Sequence, residues 1–274
     1  MKNMEKSVVF EVIISTCNKF SDLWDAHVML LNQNWKSRGK TYLVTDDATD
    51  RRFEGVEVVC AGEGAEITKR LECALKKVSG KYVLFTLDDY FLTEPIDTDG
   101  LNAVIRVMEE ENLDYVRLYA ATESALRKED AMEITNHPGF YLRNLDKGNY
   151  KISLYPGIWR TDFMRATLCE SMNAWQYEVS LTPMARQLNA RCAISNHQEF
   201  PFLDVVRKGK ILRKANRYFQ KNPIYHSQRE VLSVPEELKF RLRAYLHYQL
   251  PKPVMNLLKR ILRKFGVNFY SPVR

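Results

Sequence analysis

One stretch, Lys81–Leu92 (KYVLFTLDDYFL), restricts what this chain can fold into more than any other. Tyr82, Val83, Leu84 and Phe85 form a short apolar run rich in aromatic and β-branched residues, entered through Ser79-Gly80. A run of that length without polar alternation is the pattern of a strand covered on both faces, as in a parallel sheet flanked by helices. It ends on adjacent carboxylates, Asp88 and Asp89. In open α/β sheets, ligands bind beyond the carboxyl ends of the strands. Two acids there repel each other and lose hydration unless a cation or a proton compensates them. Two readings follow: an oxygen-ligated Mg²⁺ or Mn²⁺ site, which ordinarily also takes a substrate phosphate, or a solvated loop in which one Asp caps a turn.

The flanking sequence sets the fold class. Val8–Ser15 reads as a first strand that stops at Thr16-Cys17-Asn18. A helix follows from Ser21 or Asp22 to about Lys36, with Trp24, Val28, Leu31 and Trp35 on one face. Lys40–Thr45 is a second strand, again ending on paired acids, Asp46 and Asp47, and Val56–Cys60 is a third. A helix over 65–78 leads into the Lys81 strand. The alternation predicts an α/β fold with a mainly parallel, Rossmann-like sheet flanked by helices, with both acid pairs on one rim. An acid after an early strand suits the hydroxyls of a ribose or the edge of a base. Neither GxGxxG nor GxxxxGK[ST] occurs, which weighs against NAD and P-loop chemistry. Neutralising a phosphate would then fall to a metal or to Lys and Arg side chains.

Farther along, Leu101–Glu111 reads as helix and Asp114–Ala121 as strand, with Ala125–Tyr150 as loops containing a short hairpin. Ile152–Arg160 reads as a strand ending on an aromatic platform, followed by a helix from Thr161-Asp162. Glu170–Glu178 leads into a helix to about Leu188, and Ala190–Ser195 is a last strand that meets Asn196-His197. Five scattered cysteines without a CxxC pair point to reduced thiols in a cytoplasmic setting, and against a disulfide framework or zinc. The N-terminus does not read as a signal peptide, and no apolar run is long enough to span a bilayer.

The order of these features resembles the GT-A nucleotide-sugar glycosyltransferases, in particular the family-2-like enzymes of bacterial surface-polysaccharide synthesis. The resemblance is carried by TLDDYF at Thr86–Phe91, PGIWR at Pro156–Arg160 and NAWQYE at Asn173–Glu178, and covers most of the first 200 residues. One departure stands out: the family's Asp-x-Asp is here Asp88-Asp89-Tyr90, leaving open which Asp meets a metal and whether one is needed.

The resemblance implies a nucleoside-diphosphate sugar donor and a saccharide or lipid-linked acceptor. Thr16 and Asn18 would line the nucleotide pocket, Asp46 or Asp47 would take the base or ribose, and Arg70 would contact the donor. Asp88 and Asp89 would hold Mn²⁺ or Mg²⁺ on the diphosphate, with His197 as a third ligand. Glu178 would be the general base that takes the acceptor's proton. Trp159, Arg160 and Trp175 would meet the acceptor, a sugar's apolar face stacking on indole. The same residues also have plain structural readings: a helix-capping Glu178, a core Trp159, a structural His197.

The charge is divided unevenly. Residues 205–274 hold 17 Lys/Arg against 3 Asp/Glu, a net of +14, whereas the first 204 hold 24 against 31, a net of −7. A basic, mostly helical C-terminal extension over 205–274 is therefore set apart from a catalytic domain over 1–204. Within it, Arg207, Lys208, Lys210, Arg213 and Lys214 read either as a loop that closes over a donor diphosphate or as a solvated run. Val254–Phe265 (VMNLLKRILRKF) has the apolar-and-basic pattern of a helix lying on an anionic membrane surface. That places the protein in the cytoplasm, with the extension able to rest on the inner face of the membrane. A nucleic-acid-binding protein using the same tail is the alternative class, but an acidic body and the absence of any recognised motif speak against a nucleic-acid partner.

Overall fold

The computed structural model describes residues 11–146, 148–226 and 228–249, together with 254, 257 and 260. The chain opens with β1 (Glu11–Ser15), a 3₁₀ helix (Asn18–Leu23) and α1 (Trp24–Asn34). Then come β2 (Thr41–Thr45), β3 (Glu57–Cys60), α2 (Ile67–Leu75) and β4 (Tyr82–Leu87). These strands lie side by side in the order β3-β2-β1-β4, all parallel, with Ile13 in register with both Tyr42 and Phe85. The expected α/β architecture is what the structure shows.

Beyond β4 follow β5 (Tyr90–Leu92), α3 (Thr98–Glu110), β6 (Tyr115–Arg117), α4 (Glu123–Lys128) and a hairpin of β7 (Met132–Ile134) and β8 (His137–Leu142). Next are β9 (Gly157–Arg160), α5 (Thr161–Ala166), α6 (Ala174–Gln187) and β10 (Cys192–Ser195). Strand β9 wedges between β4 and β6, antiparallel to both, and β6 runs parallel to β10. Among the described residues the sheet has nine strands, extended past β10 by β8 and β7. Strands β1, β2, β4, β6 and β10 therefore finish on one rim.

Both faces of the sheet are covered. Phe85, Trp159, Tyr115 and Cys192 pack beneath α2, α5 and α6, while Leu84, Ile158 and Val116 pack against Leu101, Val104 and Met108 of α3. Each such large side chain contributes roughly 1.5–3 kcal/mol by burial.

Two expected strands are shorter than their apolar runs. Only Gly157–Arg160 of Ile152–Arg160 pairs, because Pro156 has no N–H to give a ladder. Upstream of it, the amides of Lys151 and Leu154 donate to Thr182 and Glu178 instead. The 114–121 strand stops after Arg117, and the amide of Ala121 turns to the Asn196 side chain.

The expected division at 204/205 is corrected. β11 (Phe202–Asp204) pairs with β5, a small hairpin joins β12 (Val206–Arg207) to β13 (Lys210–Ile211), and α7 (Arg213–Lys221) follows. Leu203, Val205, Val206, Ile211, Ala215, Phe219 and Tyr225 share one apolar cluster with Leu23, Ala26, Leu30 and Phe91. The chain through Tyr225 thus belongs to the body, because these side chains are what cover α1 and β5. Then α8 (Val234–Gln249) begins. Of the amphipathic stretch 254–265, only 254, 257 and 260 lie among the described residues; all three are exposed.

Candidate active site

The parallel run β2-β1-β4 brings Thr16, Asn18, Asp46, Asp47 and Asp88 to one rim. Asp46 accepts the Asn18 amide at 2.7 Å, and Asp47 accepts the Asn18 side-chain amide at 3.2 Å, which ties the β1 and β2 loops together. Thr16 donates its hydroxyl to Asp88 and accepts the indole N–H of Trp24 at 2.7 Å. Below, buried His27 donates Nδ1–H to the Asp88 carbonyl at 3.1 Å, and burial lowers its pKa to about 4, so the ring is neutral. These bonds fix the backbone from which the acids project.

Asp88 is only 6% exposed, and burial raises its pKa to about 7, against the opposing pull of Thr16, Arg70 and Arg229. Asp89 is also raised, first by burial and then by the charges of Asp88 and Asp204. Its Oδ1 is buried with no hydrogen-bond partner. Three acids meet here under conditions that disfavour their charge.

The cations arrayed around them are Arg70, Arg207 and Arg229. Arg70 donates Nη1–H to the Ala65 carbonyl at 2.8 Å, while its Nε is buried without a partner. Arg207 holds Asp204 at 2.8 Å, and Arg229 grips Asp22 and the Lys19 carbonyl. A divalent cation fits this chemistry: hard oxygen donors, one of them a carboxylate oxygen without a partner. Among the described residues no group of three or more His, Cys, Asp or Glu is arranged to hold a metal. Asp88 and Asp89 are the side chains that would hold such a cation.

Glu178 sits in the second turn of α6, whose start is fixed by an Asn173–Gln176 capping box. Its Oε1 accepts the Leu154 amide at 3.1 Å, and burial raises its pKa. Its charge, like that of Asp204, acts on Tyr90 and Tyr155. Tyr90 and Tyr155 stack at 5.4 Å, Tyr155 and Tyr119 at 4.7 Å, and Phe202 packs edgewise against Tyr90. Half-exposed Trp175 lies one turn before Glu178 on α6.

Three expected residues fall elsewhere. Trp159 is fully buried between Phe85, Tyr115 and Phe163 and serves the core, not an acceptor. Arg160 pairs in register with Tyr82, at the opposite end of β4 from the acids, and binds Asp114. The reason is β9's direction: running antiparallel to β4, it carries its last residues away from the rim. His197 follows β10, three strands from β4, or about 14 Å at the usual spacing. Its Nε2 donates to the Pro138 carbonyl at 2.8 Å over Gly139, where a Cβ would come within 2.3 Å of the ring. It is a packing residue, not a metal ligand.

Asp204, Arg229, Tyr90, Tyr119 and Tyr155 were not singled out from sequence. The only signal was the position of Tyr90 directly after the acid pair; the others reach the site by long-range pairing. Two surface clefts, of about 270 Å³ beside Gly64–Glu72 and about 520 Å³ along Thr49–Val58, do not include the acids.

No protein-family model matches the chain, and no curated protein matches it. Similar solved structures include TarS from S. aureus, with a TM-score of 0.46 and 18% identity over 69% of this chain and 35% of that one. A structure of TarS 1-349 gives 0.45 and 19%, over 69% and 58%. The chain thus spans only part of the TarS chains. The UTP-bound UGPase from Acinetobacter baumannii gives 0.46 and 10%, over 69% and 86%. A UDP-glucose pyrophosphorylase complexed with UDP-glucose gives 0.44 and 10%, over 78% and 100%.

Proposed function

We propose that the protein is a glycosyltransferase that moves a sugar from a nucleoside-diphosphate sugar to a saccharide or lipid-linked saccharide. The observation that carries this reading is the Asp88–Asp89 pair at the carboxyl end of β4, with an unpartnered Asp89 oxygen and the charges of Arg70, Arg207 and Arg229 acting on it. Such a site, with an unanswered carboxylate oxygen among guanidinium charges, suits an anionic ligand that arrives with a cation. Mg²⁺ or Mn²⁺, when bound, would supply charge neutralisation to the leaving diphosphate.

The chain's own residues take the remaining tasks. Asn18 with Asp46 and Asp47 presents carboxylates to the nucleoside. Arg70, whose Nε has no other partner, and Arg207 contact the phosphates. Glu178, already raised by burial, takes the acceptor hydroxyl's proton at its free Oε2 side while Leu154 holds Oε1. Trp175 borders the acceptor side. A pyrophosphorylase-type nucleotidyltransferase would ordinarily carry a glycine-rich basic segment after β1, and Cys17–Phe20 is not one.

A thermal-shift panel of UDP, GDP, CDP, dTDP and their sugars, with and without Mn²⁺, tests the proposal. A nucleotide-selective rise that depends on the metal is expected from ligand linkage. A folded protein that shifts with none of them would sink it.

A further inference from the structure

The C-terminal elements leave one apolar face uncovered. On α8, Val234, Leu238 and Leu242 recur every fourth residue and are 57%, 63% and 53% exposed. The other side of the helix is engaged: Glu236 takes Lys210, Glu237 takes Arg213, and Phe240 lies under the cations of Arg207 and Lys208. The exposed stripe is therefore the outward side of a docked helix. Val254 and Leu257, one turn apart, are likewise exposed.

Charge identifies the occupant. The only carboxylates beyond residue 204 are Glu230, Glu236 and Glu237, and each is bonded to Lys210, Arg213 or Arg241. Lys239, beside Leu238, has no carboxylate partner among the described residues. Nor do Lys214, Arg217 and Lys221, which line the exposed side of α7. α7 begins against α8 through the Arg213–Glu237 pair. Apolar side chains bordered by uncompensated cations are complementary to a surface that is apolar within and anionic at its edge.

Position adds a third argument. α8 rests on the β12–β13 hairpin, whose Arg207 holds Asp204 beside Asp89, and it passes α4, which follows β6 at the same rim. A surface covering α8 would therefore lie on the side of the molecule where the β12–β13 hairpin and α4 meet.

We propose that the outward face of α8 docks on an anionic lipid bilayer, with Val234, Leu238 and Leu242 entering the headgroup boundary and Lys239 meeting the headgroup charge. This stands apart from the catalytic reading, because bilayer contact requires no nucleotide.

The test is co-sedimentation of the full chain with vesicles of phosphatidylcholine alone or with about one-third phosphatidylglycerol. The chain should bind the mixed vesicles and not the neutral ones. The L238D/L242D variant, with 254–265 intact, should bind about tenfold less or weaker still, at an unchanged melting temperature. K239E should weaken binding less and leave the melting temperature alone. Wild-type binding by L238D/L242D, or equal binding to both vesicle types, overturns the proposal. So does a dimer in the absence of vesicles that L238D/L242D dissociates, since a second copy would then be the occupant.

Discussion

Two buried carboxylate sites lie at opposite ends of the same pair of strands, and the protein treats them differently. Glu11, at the start of β1, is 7% exposed and is fully answered: it accepts the amides of Ser79 and Gly80 at 2.9 and 2.6 Å and the Tyr42 hydroxyl at 3.3 Å. Asp88, at the end of β4, is equally buried, yet it and Asp89 are held near the protonated state, and Asp89 Oδ1 has no donor at all. A carboxylate kept for the fold is supplied with donors; one kept for a ligand is left wanting them.

The sharpest way to break this contrast is to remove the unanswered charge. Asp89→Ala should abolish metal-dependent nucleotide binding while the protein stays folded; retained binding by calorimetry would return the pair to a structural role. Glu178→Gln should lower turnover by about 10²–10⁴-fold with donor affinity kept, read by steady-state kinetics beside nucleotide titration. A parallel loss of donor affinity would instead make Glu178 part of the donor pocket.

The next effect is on stability without ligand. Asp88 keeps its proton to about pH 7 in the folded chain, whereas the unfolded chain releases it near 3.8. Between those values the folded state binds more protons, so stability falls as pH rises from about 4 to about 7, then levels off. The loss is at most roughly 4 kcal/mol, and Asp88→Asn should flatten the curve in chemical denaturation. A flat wild-type curve would mean that the pair is already compensated. Smallest is Glu11→Ala, which strands two backbone amides and should cost about 1–3 kcal/mol, leaving nucleotide binding as it was.

What the sequence disclosed follows from how locally each feature is encoded. The parallel β-α-β units and the acids at their ends were legible because a strand's last residue and the loop after it are neighbours in the chain. Trp159 and Arg160 were misplaced because nothing local reveals that Gly157–Arg160 runs antiparallel between β4 and β6. Reversing one strand exchanges which of its ends meets the rim. His197 was misjudged for a related reason: the end of β10 reaches the correct rim, but the three-strand distance from β4 is a property of sheet order alone. Arg229 comes to the site from the segment set apart by its basic charge, and Asp204 from the last position before it, since composition changes there and packing does not.

The wedge of β9 also bears on how the molecule comes into being. Thr16 and Asp88 are 72 residues apart, and Asp22 and Arg229 are 207 apart. Pairings this remote require most of the loop-closure entropy to be overcome before they return any energy. A ribosome-bound chain would expose Asp22 long before Arg229, which binds it, is made. Assembly of the rim therefore belongs to the last stage of folding, and its amides should exchange hydrogen with solvent through openings smaller than that of the whole sheet.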